Sequence, residues 1–332
     1  MKLVTFSARG AAPRSGALID GGDRVLDLQA AYVERWTVPT PHLVSVLSIA
    51  EGGDEALDVV REVVKGHSRA SGSAAIGRSS VKLLAPIPQP PQMRDFLCFK
   101  QHIEQAFKAA RTLRARQSAD PEAALREMEE KGILSVPTVA YERPICYHPN
   151  RLDVIGTDQD VIWPSYSRVM DFELEFGCYI GKPGHDISKE DARAHIFGYT
   201  IFNDFSARDE QTLEMPGQLG PGKGKDFDGG NAMGPCLVTA DEIGDPYRLD
   251  MIVRVNGCEW GRGNSSTMHW KFEDCIAHVS RSETLHSGEF LGSGTVGNGC
   301  GLEQMRFLKS GDVVELEVEA IGILRNRVVR SS

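Results

Sequence analysis

Two glutamates one residue apart sit in the run Phe172-Glu173-Leu174-Glu175-Phe176. On an extended strand positions i and i+2 share a face, so the two carboxylates converge while Phe172, Leu174 and Phe176 pack on the other side. Spacing alone is weak evidence, because Glu315-Leu316-Glu317-Val318-Glu319 repeats it and reads as a solvated strand face. What sets Glu173 and Glu175 apart is the later apolar run Ile196–Phe202, the pattern of a strand buried on both faces, which ends at Asn203-Asp204. A third carboxylate then stands where apolar surroundings give way to a cleft. Carboxylates gathered without imidazole or thiolate suit a hard cation: magnesium first, with manganese or calcium as alternatives. Arg208, Gln211, Lys223 and Lys225 follow Asp204 and read as donors for an anionic substrate. Upstream, Asp95-Phe96-Leu97-Cys98-Phe99-Lys100-Gln101-His102 runs from an apolar strand into a helix, placing His102 in its first turn. An imidazole there, with its pKa near neutrality, could act as a general base on a metal-bound substrate.

The elements that must position these groups are legible in outline. Ala17–Leu26 reads as a hairpin turning through Asp20-Gly21-Gly22-Asp23. Residues 86–92, Pro-Ile-Pro-Gln-Pro-Pro-Gln, cannot propagate helix or sheet, since four of the seven lack an amide donor. The expected organisation is therefore a small β-containing N-terminal domain (1–85), a proline-rich linker (86–92) and a catalytic domain (93–332). Ile103, Ala106, Phe107, Ala110 and Leu113 have helical spacing over 101–114, and Asp120-Pro121 caps a second, charged helix stopped by Gly132. This stretch, 111–140, is the expected lid. Near the C-terminus Val314, Leu316, Val318 and Ala320 alternate with glutamates as a half-buried strand.

Composition bounds the function. The 332 residues carry 37 Lys and Arg against 46 Asp and Glu, a net charge of −9 that argues against a nucleic-acid groove or an anionic membrane surface as partner. No apolar run approaches the roughly 18 residues needed to span a bilayer, and the strand-like Leu3-Val4-Thr5-Phe6 stands where a leader would, so a cytoplasmic location is expected. The seven cysteines are odd in number and never CxxC, which signals neither a disulfide framework nor a zinc site. Gly217-Gln-Leu-Gly-Pro-Gly222-Lys223 approaches a phosphate loop but continues with Gly224 instead of Ser or Thr. No G-x-S-x-G elbow or H-E-x-x-H helix occurs.

Together these stretches resemble the fumarylacetoacetate hydrolase superfamily, from Asp95 to about Val328. The most specific piece is Asn203-Asp204-Phe205-Ser206-Ala207-Arg208-Asp209, preceded by Gly198-Tyr199-Thr200 and by Asp171-Phe172-Glu173-Leu174-Glu175 with Ile180-Gly181-Lys182. The resemblance implies a β-rich α+β fold, a mixed β-roll or sandwich with a small N-terminal β-containing domain, assembled as a homodimer. It implies metal ligands at Glu173, Glu175 and Asp204, with Asp95 added by its seven-residue separation from His102. In the family's acylpyruvase branch a glutamate three residues after the histidine partners it; here that position is Gln105, with Glu104 beside it. The larger branch supplies a distant glutamate after a Gly-Thr turn, and Gly294-Thr295 followed by Gly301-Leu302 points to Glu303. The resemblance further assigns Arg208, Gln211 and Lys225 as substrate and oxyanion donors and Tyr147 as a substrate contact. Thr295 and Arg111 are the remaining candidates for substrate binding.

The activity this implies is metal-dependent hydrolysis of a carbon–carbon bond in a small β-diketo acid, such as an acylpyruvate or fumarylacetoacetate-like compound. His102, oriented by Glu303, would activate water while Lys225, Gln211 and Arg208 stabilise the oxyanion. The same scaffold resembles decarboxylases, enol–keto isomerases, hydratases and dehydratases that share an enolate. His102 tips the expectation towards hydrolysis.

Overall fold

The computed structural model describes residues 1–8, 10–67, 73–116 and 118–330. Positions 9 and 68–72 of the expected N-terminal domain, 117 of the expected lid and 331–332 of the expected catalytic domain lie outside the described residues. The chain opens with β1 (Lys2–Ala8), β2 (Arg14–Ile19), β3 (Arg24–Asp27), α1 (Leu28–Trp36), α2 (Val46–His67) and β4 (Ala75–Gly77). After the proline-rich run come β5 (Met93–Phe96), α3 (Lys100–Ala115), α4 (Pro121–Glu130), α5 (Val139–Glu142), β6 (Cys146–Tyr147) and β7 (Asp160–Trp163). Next are β8 (Leu174–Ile180), β9 (Ile196–Asp204), α6 (Arg208–Glu214), β10 (Asn231–Thr239), β11 (Asp250–Val255) and β12 (Cys258–Asn264). The chain closes with α7 (Phe272–Val279), β13 (Phe290–Gly292), α8 (Gly301–Gln304), β14 (Val313–Val318) and β15 (Gly322–Arg330).

A 12-stranded sheet runs in the order β4-β3-β2-β1-β10-β9-β8-β13-β5-β6, with Val81–Leu83 and Val154–Ile155 attached to β1 and β10. Its N-terminal strands join the rest through β1 and β10, where Leu3 pairs with Leu237. Along the main path only β13 and β5 run parallel. A second sheet of five strands, β12-β11-β14-β15-β7, covers one face. Side-chain alternation on β8 divides the core: Leu174, Phe176, Cys178 and Ile180 pack with Met251, Val253, Val314 and Leu316 of the second sheet. Tyr179 faces the other way and packs with Phe202, Phe290 and Met93 beneath Val46, Ile49 and Val60 of α2. Both faces of β8 and β9 are thus covered, which is why their sequences read as nearly unbroken apolar runs. Each such side chain, fully buried, contributes roughly 1.5–3 kcal/mol.

The mixed, sheet-rich fold agrees with the sequence reading. One expectation fails locally: Ala320 does not extend the strand but is exposed, with φ 65°, in the turn between β14 and β15. Alternation cannot see where a hairpin reverses. The charged second helix forms as α4, Asp120 accepting from the Ala123 amide at 3.0 Å, and it buries none of its residues. Among the described residues no helix is long and apolar enough to cross a membrane.

Candidate active site

Strands β5, β13, β8 and β9 lie side by side, and their register decides which side chains meet. Asp95 pairs with Gly292, Gly292 with Gly177, and Glu175 with Phe202, so Asp95, Glu175 and Asp204 project from one face. Ligand atoms of these three all lie within 4.8 Å of one another. The space comes from a glycine: a Cβ on Gly292 would stand 2.3 Å from Asp95 Oδ1. Gly292→Ala is therefore expected to displace Asp95, lowering stability by about 1–3 kcal/mol and weakening Mn2+ binding. Thermal unfolding and calorimetric titration check both, and unchanged values in both would show that the cradle is not needed.

Burial sets the electrostatics. It pushes the Asp95 carboxyl up to about 8, with the Asp204 charge adding to the effect. Asp204 is pushed up to about 6 by burial, although Lys225 opposes the rise. Glu175 is held well above the ordinary carboxylate range by burial and by the charges of Asp95 and Glu173. Among the described residues no Lys or Arg is bonded to it. Two buried oxygens, Glu175 Oε2 and Asp204 Oδ1, find no hydrogen-bond partner among the described residues, which is costly unless a cation satisfies them. Three oxygen donors of this kind fit a hard divalent cation.

Glu173 stands beside this trio instead of within it. Its Oε1 accepts from Arg208 Nη2 at 2.8 Å and its Oε2 from Lys225 Nζ at 2.5 Å. Burial works against its charge, but Lys225 and Arg208 overcome that and hold it well below the usual range. Lys225 Nζ also donates to Asp204 Oδ2 at 2.5 Å, so one ammonium bridges the two carboxylates. Arg208 is engaged on every side: Nε donates to Asp171 Oδ2 at 2.8 Å and Nη1 to Gln211 Oε1 at 2.9 Å. Of the donors assigned to an oxyanion, Arg208 and Lys225 are thus bonded to protein acceptors, while Gln211 itself accepts from Arg208. Sequence could not show this, because it depends on Asp171, an anchor the residue-by-residue reading missed. Fully buried Asp171 also accepts from the Gly301 and Leu302 amides at 2.8 and 2.9 Å, tying Arg208 to the start of α8. Tyr147 donates its hydroxyl to Asp204 Oδ2 at 2.5 Å and Thr295 donates to Glu175 Oε1 at 3.2 Å. Both substrate-contact candidates therefore touch the carboxylate trio directly.

His102 lies in the first turn of α3, where Nδ1 is 2.9 Å from Glu303 Oε1. The other oxygen, Oε2, accepts from the Cys300 amide at 3.1 Å, so the carboxylate is fixed before it meets the imidazole. An ionised carboxylate can only accept, which puts the proton on Nδ1 and leaves Nε2 as the basic nitrogen. Gln105, one turn on, grips the same loop: it donates to Asn298 Oδ1 at 2.8 Å and accepts from the Asn298 amide at 3.2 Å. Arg111 is placed elsewhere. Nine residues beyond His102 it lies about 13 Å along the helix and half a turn round, donating to the Leu134 carbonyl at 2.8 Å. Gly292-Ser293-Gly294-Thr295-Val296-Gly297 has the spacing of a dinucleotide loop, but no helix starts within it and its Thr295 is bonded to Glu175.

The family model described as fumarylacetoacetate (FAA) hydrolase C-terminal matches residues 93–329. The human protein named oxaloacetate tautomerase FAHD2A, mitochondrial, is 31% identical, the match covering 99% of this chain and 92% of that protein. Oxaloacetate tautomerase YisK of Bacillus subtilis is 31% identical over 94% of this chain and 95% of its own. Among solved structures, the fumarylacetoacetate hydrolase of Exiguobacterium antarcticum superimposes with a TM-score of 0.72 at 25% identity, with full coverage of both chains.

Proposed function

The chain belongs to the fumarylacetoacetate hydrolase family, and from that premise we propose that it interconverts the keto and enol forms of a small 2-oxo dicarboxylic acid of the oxaloacetate type. The observation that carries this reading is a base, His102 Nε2, set by Glu303 beside a buried three-carboxylate cage. Asp95, Glu175 and Asp204 would hold a divalent cation, magnesium or manganese by their oxygen donors, with Glu173 at the edge of the cage. When bound, that ion supplies Lewis-acid stabilisation of the negative charge that develops on the substrate oxygen. His102 takes the proton from the carbon between the two carbonyl groups and returns it to oxygen, while Glu303 stabilises the imidazolium formed in between. Lys225 and Arg208, kept cationic by their carboxylate partners, offset the negative charge of Asp171, Glu173 and Asp204 beside the cleft. The segment 111–140 would serve as a lid; its described residues are braced internally by the Arg111 bond to Leu134 and tied to the rest of the chain by Trp270 Nε1 donating to the Ala140 carbonyl at 3.0 Å. The working assembly is a homodimer. The names of the full-length relatives favour the tautomerase over the hydrolase.

Hydrolysis of an acylpyruvate-like β-diketo acid is the second reading, favoured by the same His102–Glu303 pair, since a base with a free Nε2 could equally take a proton from water. Arg208 and Lys225 count against it, because an oxyanion would have to displace their present acceptors. Freshly dissolved enol oxaloacetate and an acylpyruvate, each offered with Mn2+, separate the two. The first reading expects accelerated loss of the enol absorbance and deuterium exchange at the central carbon, with no cleavage products. No acceleration over buffer, together with two carbonyl products from the acylpyruvate, would replace it by the second.

A further inference from the structure

One group of metal-ligating side chains next to the carboxylate cage joins the base and its partner to a thiol, Cys300, that has no part in the reaction above. Ligand atoms of His102, Cys300 and Glu303 all lie within 4.8 Å of one another. Cys300 is fully buried and His102 is 6% exposed. Two of the three are held on one short turn: the Cys300 sulfur accepts from the Glu303 amide while Glu303 Oε2 accepts from the Cys300 amide. The third arrives from α3, already bonded to Glu303. A backbone bridge from Cys300 to Glu173 sets this trio against the cage. Tetrahedral zinc binds sulfur, nitrogen and oxygen at roughly 2.0–2.3 Å, which puts its ligand atoms about 3.3–3.8 Å apart, so only a small contraction is needed.

We propose that His102, Cys300 and Glu303 form a second metal site, selective for thiophilic ions of the zinc class, and that filling it disarms the base. The imidazole, thiolate and carboxylate set prefers zinc over magnesium, a discrimination that the all-oxygen cage lacks. Binding releases one proton to solvent, from the Cys300 thiol, while the proton on His102 leaves Nδ1 and the imidazole stays neutral with its proton on Nε2; no oxidation is involved. The two negative ligands balance the ion's charge. Glu303 and His102 are then joined through the ion instead of through a hydrogen bond, and Nε2 loses the partner that made it basic. The inhibitory consequence rests on His102 being the base; binding at the trio does not.

Co2+ serves as the probe, because a thiolate ligand gives it a near-ultraviolet charge-transfer band. The full chain saturated with Mg2+ is titrated with Co2+, and the band is expected in the native sequence and in Cys258→Ser, which removes the exposed thiol. It is expected to vanish in Cys300→Ser, where serine preserves the helix cap, and in His102→Asn. With turnover as readout, Cys300→Ser should keep Mg2+-dependent activity and need at least tenfold more Zn2+ for half inhibition. No band in the native chain, or a band that survives Cys300→Ser, overturns the site. An unchanged zinc response in that variant overturns the inhibitory role. If no oxo acid is turned over, the cobalt titration still decides the site.

Discussion

Glu175→Gln is expected to abolish divalent-cation binding while leaving the ion-free fold as stable as before. The two halves of that result come from the same fact. Glu175 is fully buried, touches no cation among the described residues and is held well above the ordinary carboxylate range by burial and by Asp95 and Glu173. Without an ion, burial and those neighbouring charges favour the protonated carboxyl, which a glutamine amide matches in size and charge. With an ion the carboxylate is required, and an amide removes a full negative charge from a site whose affinity follows its charge count. Affinity for Mn2+ should fall at least a hundredfold, beyond the 10–100-fold typical of disturbing groups that only orient the ligands. Turnover should fall with it. Calorimetric titration and thermal melting with and without Mn2+ read both halves; a Glu175→Gln protein that still gains stability from Mn2+ would exclude Glu175 as a ligand.

The same cage gives cation binding a pH dependence of definite sign. Burial raises Asp95 to about 8 and Asp204 to about 6, so between pH 4 and 8 the folded, ion-free chain holds more protons than the unfolded one. Acids with raised folded values lose stability as pH rises through that window. A bound cation displaces those protons, so its apparent affinity rises over the same range, and binding at pH 6.5 should release protons that binding at pH 9 does not. Titration in two buffers of different ionisation enthalpy counts them. Equal counts at both pH values would mean that the ion binds away from Asp95 and Asp204.

How far sequence alone reached depends on whether a residue's role is local. Glu173, a bridge residue just before β8, and Glu175 within it follow the alternation of extended backbone, and the continuous run in β9 marks a strand covered on both sides; both follow from periods of one or two residues. That Asp95 reaches Glu175 across β13 depends on a missing side chain at Gly292, and a glycine gives no hint in sequence of which neighbour fills its space. Glu173 looked equivalent to Glu175, yet Lys225 and Arg208 bond one and not the other, a distinction made by a loop some 50 residues away and by the anchor Asp171. Arg111 did carry a local signal. Nine residues from His102 is half a turn of helix, so the two side chains face opposite ways.

His102→Ala should lower turnover by about 10²–10⁴, or about 2.7–5.4 kcal/mol of barrier, with Mn2+ affinity unchanged, since the imidazole is not part of the carboxylate cage. Glu303→Gln separates orientation from charge. The amide oxygen can still accept from Cys300, but its nitrogen then donates to His102 Nδ1, which forces the proton onto Nε2 and leaves no base facing the substrate. A nearly isosteric change should therefore cost almost as much as removing the imidazole, as a reversed tautomer does in serine proteases. Glu303→Asp should do less harm, because it keeps an acceptor-only carboxylate on the same turn. The comparison is made on kcat, with KM and Mn2+ affinity as controls. A Glu303→Gln enzyme within tenfold of the native rate would mean that His102 does not need its tautomer fixed, and with that the proton transfer assigned to Nε2 would fall.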